Sequence, residues 1–187
     1  MEIPLQEIND DPPLPFLVEQ ITPVQKGRAL DLAMGDGRNA IYLAQQGYEV
    51  DGIDLSEKAV RQAIASARSL GLSINGIIAD LDQFPLSPNR YDLICCFYYL
   101  ARPLFPGMKS ALRPGGKIIY QSVTTDECLF NPDFPKEWCL EPNELLHAFR
   151  ELRILFYEES NLPASSTPSK GMRHTALASL VAVLQEE

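Results

Sequence analysis

Leu30-Asp31-Leu32-Ala33-Met34-Gly35-Asp36-Gly37-Arg38-Asn39-Ala40 is the stretch on which the reading of this chain turns. An apolar run closes on an acid, small residues stand at Ala33, Gly35 and Gly37, and a helix-like pattern follows. Strand, tight loop and helix in that order let a backbone come close to a bound cofactor. Gly35 to Ala40 also satisfies a dinucleotide fingerprint with Ala as its third small residue, so the glycines alone do not choose the ligand.

Working outward, Arg28–Leu32 reads as a buried strand and Arg38–Gln46 as a helix closed by Gly47. Tyr48–Ile53 is the next strand. Ser56 is placed to cap a helix that runs to about Leu70 and ends at Gly71. Further strands are expected at Ile74–Ala79, Tyr91–Phe97 and Lys117–Val123, with a helix at Pro103–Leu112 and a turn at "RPGG". Thr124–Glu141 reads as an irregular connection, Glu141–Arg150 as a helix with Pro142 in its first turn, and Leu152–Glu159 and His174–Leu184 as the last strands. The opening 1–25 is Pro-rich, with a short helix at Leu14–Ile21 as a candidate lid. Strands alternating with helices imply an α/β fold: a doubly wound parallel sheet with helices on both faces, a three-layer αβα sandwich. The last strand follows a loop without a helix and is expected to run antiparallel.

With 187 residues and 45% hydrophobic content, the chain suits one domain over 1–187. Its net charge of -9 and lack of a Lys/Arg cluster argue against nucleic acid and anionic membrane surfaces as partners. The apolar runs are too short to span a bilayer, and "MEIPLQEIND" shows no secretory signal core. Cys95 and Cys96 read as core, and Cys128 and Cys139 match no zinc spacing, so no metal is expected and a reducing cytoplasm fits best.

Charge separates the two cofactor readings. A dinucleotide brings a pyrophosphate to the loop, where Asp31 and Asp36 would repel it. S-adenosylmethionine brings a sulfonium, an ammonium and one carboxylate, so Asp31 would pair with the ammonium and loop N–H groups with the carboxylate. Asp54, closing the second strand, suits a ribose diol in either cofactor. Asp80 and the backbone of Leu81 suit an adenine edge, and Phe97, Tyr98 and Tyr99 supply aromatic faces after the fourth strand.

"LDLAMGDGRN", "GYEVDGIDLS", "ADLDQFP", "YDLICCFYYLARPLF" and "LRPGGKIIY" together resemble the class I S-adenosylmethionine-dependent methyltransferases, and within them the small tellurite-resistance-type branch. The similarity runs from about Phe16 to Leu184. It implies a Rossmann-like seven-stranded sheet of order 3-2-1-4-5-7-6 with strand 7 antiparallel. It also implies a cofactor site drawn from Asp31, Ala33, Gly35, Gly37, Arg38, Asp54, Leu55, Asp80, Leu81 and Phe97. Ala33 departs from the family's usual glycine, and a methyl is tolerated there only with a negative φ.

Candidates for the acceptor side are Tyr98, Arg102, Arg173 and His174. The expected reaction is in-line methyl transfer to a small molecule, a thiol or a metalloid oxyanion, with alignment and a dry site as the protein's contribution. Two other readings stand beside it: a non-catalytic cofactor-binding protein of the same fold, and an NAD-dependent oxidoreductase. A monomer or a homodimer is expected.

Overall fold

The computed structural model describes residues 11–21, 27–161 and 176–186. Its strands are β1 (Arg28–Leu32), β2 (Glu49–Asp54), β3 (Asn75–Ile78), β4 (Tyr91–Phe97), β5 (Leu112–Val123), β6 (Arg153–Asn161) and β7 (Ala176–Val183). They follow the order β3-β2-β1-β4-β5-β7-β6, the order the sequence implied. The helices are α1 (Pro15–Gln20), α2 (Arg38–Gln45), α3 (Glu57–Ser69), α4 (Leu104–Ala111), α5 (Glu127–Phe130) and α6 (Glu144–Ala148), with a single 3₁₀ turn at Lys136–Trp138. The chain divides into two compact units, Met1–Phe84 and Pro85–Glu187.

In the first unit, β1 and β3 both run parallel to β2, and Asp31 pairs with Gly52 in register. Leu30 and Leu32 are fully buried, as expected of a strand covered on both faces. α2 turns Ala40, Ile41 and Leu43 inward, and α3 turns Val60, Ala63 and Ala67 inward. The helices can approach because Gly37 has no side chain: a Cβ there would lie 2.6 Å from the Ala63 Cβ. Ser56 caps α3, its Oγ accepting from the Ala59 N–H at 3.3 Å. Across the start of the sheet, buried Asp51 accepts from Arg28 Nε at 2.9 Å, Arg28 Nη2 at 2.8 Å and Asn75 Nδ2 at 2.9 Å. A charge buried this deeply persists because it is paired and hydrogen-bonded.

The second unit pairs β4 with β5 in parallel, then β5 with β7 and β7 with β6 antiparallel. A hairpin needs no crossover helix, so the absence of a helical pattern before the last strand foretold its direction. Phe105, Tyr120 and Phe149 form an edge-packed aromatic core, with ring centroids 5.3 to 6.2 Å apart. The Tyr120 hydroxyl donates to the Tyr99 carbonyl at 2.6 Å, satisfying the polar end of a ring that is 1% exposed.

Several boundaries differ from the sequence reading. "RPGG" is an excursion inside β5: partner positions jump from Tyr91↔Leu112 to Leu93↔Lys117, and Gly115 takes φ +78°. The helix expected over Glu141–Arg150 shrinks to Glu144–Ala148 because Asn143, at φ 60°, turns the chain into it. The Glu141 N–H is taken by the Glu144 carboxylate instead of by a helix. Thr124–Glu141 contains α5 and the 3₁₀ turn and returns to the sheet through a Thr124↔Leu140 bridge. β7 is described from Ala176, so the start expected at His174 lies outside the described residues, as does the loop expected at "LPASSTPSKG". Among the described residues no helix is long and apolar enough to cross a membrane.

Candidate functional site

The glycine loop belongs to the first unit. Ala33 at φ 54°, Gly35 at 57° and Gly37 at 89° all adopt the left-handed conformation. The negative φ expected of Ala33 is thus not found. The Met34 N–H carries the β1–β2 ladder one residue further by donating to the Ile53 carbonyl at 3.0 Å, and this holds the turn against the strain of an alanine. Met34 packs where Gly52 leaves room, since a Cβ at Gly52 would lie 2.1 Å from the Met34 sulfur.

Asp54 reaches this loop from the end of β2. One carboxylate oxygen accepts from the Gly35 N–H at 2.8 Å and the other from the Ser56 N–H at 2.8 Å. Its neighbour Leu55 is 71% exposed, an apolar side chain held in the open beside the loop acid.

Asp31 is 1% exposed. Its carboxylate accepts from the Ala40 N–H in the first turn of α2, yet Oδ2 has no hydrogen-bond partner. Burial pushes the carboxyl up to about 7, against the opposing pull of the Ala40 N–H and the Arg38 charge, and with the Asp54 charge adding to the rise. A buried, half-satisfied acid at the mouth of a glycine loop is chemically ready for a cationic hydrogen-bond donor. Asp36 is exposed and Arg38 is half-buried at the first position of α2.

Asp80 folds back on its own turn, accepting from the Asp82 N–H at 3.1 Å and from Gln83 Nε2 at 2.9 Å. Leu81 is buried at 4% exposure. Asn39 was missed in the sequence. Asn39 is buried on α2, and its Oδ1 accepts the Leu14 N–H at 3.0 Å, fastening the chain before α1 to the loop helix. A polar residue on the inward face of an amphipathic helix was the available signal.

In the second unit, Phe97 ends β4 and is 7% exposed. Tyr98 takes φ 54°, and its N–H donates to the Gln121 carbonyl at 2.9 Å. Its ring packs on Val123, Cys139 and Leu177. Arg102 is engaged within its own unit: Nε and Nη2 meet the Glu144 carboxylate at 2.6 and 2.9 Å, and Nη2 also donates to the Cys139 carbonyl at 3.0 Å. Arg173 and His174 lie outside the described residues. Among the described residues no group of three or more His, Cys, Asp or Glu is arranged to hold a metal ion.

Comparison with known proteins follows the same lines. Residues 29–116 match the family model described as a methyltransferase domain. The chain is 27% identical over 154 residues to the probable S-adenosyl-L-methionine-dependent methyltransferase TehB of Haemophilus influenzae, covering 78% of this chain and 53% of that protein. It is 29% identical over 116 residues to a ubiquinone biosynthesis O-methyltransferase of Coxiella burnetii, covering 59% of this chain and 49% of that one. The chain therefore spans about half the length of the curated relatives it matches. The crystal structure of TehB from Haemophilus influenzae superposes with a TM-score of 0.75 at 22% identity, over 91% of this chain and 61% of that one.

Proposed function

We propose that this chain, which carries a methyltransferase domain of the S-adenosylmethionine-dependent kind, transfers a methyl group to a small-molecule acceptor, and that residues 1–187 act as one such domain. The observation that carries the reading is Asp31: a buried carboxylate oxygen without a hydrogen-bond partner, beside three left-handed loop residues. A dinucleotide would set a pyrophosphate against that acid, whereas the ammonium of S-adenosylmethionine would complete its hydrogen bonding.

When bound, this cofactor supplies a methyl group already activated on a positively charged sulfur. The chain's residues have the remaining work. Asp31 holds the ammonium, and the N–H groups of the loop from Ala33 to Gly37 meet the carboxylate, with Arg38 adding positive charge. Asp54 gives up the Gly35 N–H to accept from the ribose hydroxyls, while Leu55 covers one face of the base. Asp80 and the Leu81 backbone take the adenine edge. In the second unit, Phe97 and Tyr98 are the aromatic candidates for the acceptor side.

The bound cofactor would supply its methyl group for in-line displacement by the acceptor, and the acceptor's proton, where it has one, would leave to solvent. A thiol acceptor ionises near neutral pH and needs no general base, and a reduced metalloid anion needs none either. These soft nucleophiles are the proposed substrate class. Arg173 and His174 remain candidates for holding an anionic acceptor, whereas the Arg102 pair with Glu144 supports a positioning role. A cytoplasmic location suits a protein whose four cysteines form no disulfide.

The test is incubation with methyl-labelled S-adenosylmethionine and a panel of thiols, selenite, tellurite and small amines. Label in a thiol or metalloid product is expected. Tight cofactor binding with no transfer to any member would overturn the catalytic reading in favour of a cofactor-binding protein of the same fold.

A further inference from the structure

Two thiols eleven residues apart meet in the segment between β5 and α6. Cys128 lies in α5 and Cys139 directly follows the 3₁₀ turn. Both pack in one apolar cluster with Val123, Leu177, Phe134 and Tyr98. Cys128 Sγ donates to the Phe134 carbonyl at 3.7 Å and Cys139 Sγ to the Pro135 carbonyl at 3.6 Å, so the thiols bond to two successive carbonyls. The shared cluster and the adjacent carbonyl partners make the two thiols neighbours. Neither is in a disulfide. Cys139 is 1% exposed, whereas Cys128 is half-buried.

We propose that Cys128 and Cys139 form a modification site, a dithiol that closes to an intramolecular disulfide when it meets a small disulfide oxidant. The difference in access sets the order of events. The Cys128 thiolate attacks the oxidant RSSR, forming a mixed disulfide and releasing one thiolate. Cys139 then loses its proton to solvent and attacks the Cys128 sulfur, expelling the second thiolate. The protein loses two electrons and two protons, and RSSR becomes two RSH.

Burial, with the neighbouring Cys128, holds the Cys139 thiol up at about 11, so closure is the slow step and quickens as pH rises. Cys95 and Cys96 are also buried, but they sit side by side in β4, where successive side chains point to opposite faces. The disulfide would tie α5 to the 3₁₀ turn beneath Tyr98, which packs on the same cluster.

Tryptic mapping tests this on the intact protein, because cleavage after Lys117, Lys136 and Arg150 puts Cys128 in Ile118–Lys136 and Cys139 in Glu137–Arg150. After treatment with oxidised glutathione these two peptides are expected as one disulfide-linked species that dithiothreitol separates. The yield should be several-fold higher at pH 9 than at pH 7 after the same interval. Cys139→Ser should stop at a glutathione adduct on Cys128, and Cys128→Ser should give no linked species. Should either variant fail to fold, the wild-type map decides alone. Recovery of the two peptides unlinked, a lasting adduct on wild-type Cys128, or a link through Tyr91–Lys109, which carries Cys95 and Cys96, would overturn the proposal.

Discussion

The Gly35 N–H donates to Asp54 Oδ2 at 2.8 Å, so the glycine loop is held by the acid that closes the neighbouring strand. With Ser56 on its other oxygen, the Asp54 carboxylate orders the loop and the entry to α3 together. Asp54→Ala should cost about 1.5 to 3 kcal/mol of cofactor binding, roughly a ten- to hundredfold rise in Kd. Isothermal titration with S-adenosylhomocysteine reads this directly, and an unchanged Kd would remove Asp54 from the site.

Asp31 predicts a pH dependence with a definite sign. Its folded carboxyl, held up by burial at about 7, binds a proton more tightly than the same group in the unfolded chain at 3.8. Between those values the native state holds more protons, so the Asp31 contribution to stability falls as pH rises from about 4 to about 7 and is flat above. Asp31→Asn should flatten that part of the profile in urea denaturation across pH. Binding of a cation ionises the acid, so near pH 6 the wild type should release a proton on cofactor binding. Calorimetry in two buffers of different ionisation enthalpy detects the release, which the variant should lack.

Ala33 carries strain that a glycine would relieve. Left-handed backbone costs a residue with a Cβ about 1 to 2 kcal/mol, while glycine adds disorder to the unfolded chain worth roughly 0.5 to 1 kcal/mol. Ala33→Gly should therefore stabilise by about 0.5 to 1 kcal/mol, seen as a higher urea midpoint. Gly37→Ala should lower it sharply, because φ +89° and the 2.6 Å approach to Ala63 both oppose a side chain.

The bidentate pair between Arg102 and Glu144 should show coupling. A double-mutant cycle with Arg102→Ala and Glu144→Ala is expected to give about 1 kcal/mol, because the arginine side chain is 46% exposed and solvent screens part of the attraction. Zero coupling would free Arg102 for a ligand.

Much of the fold was legible because its signals are local. Apolar runs ending at Asp31 and Asp54, glycines closing helices and the Ser56 cap mark β1, α2, β2 and α3 without help from distant residues. The acid closing β1 was visible in the sequence, whereas its burial, its orphaned oxygen and its link to Ala40 were not. The Arg102–Glu144 pair was not legible because the two residues stand 42 apart, a separation that no local pattern reports. Ala33 was misjudged because a turn fixed by the Met34–Ile53 hydrogen bond overrides the preference of a single alanine.

The most direct test of the central claim is calorimetric titration of the wild-type chain with S-adenosylmethionine and, separately, with NAD. The acid-flanked loop predicts saturable binding of the sulfonium cofactor, weakened at least tenfold by Asp31→Asn, and no binding of NAD. Binding of NAD in preference to S-adenosylmethionine, or binding of S-adenosylmethionine indifferent to Asp31→Asn, would contradict it.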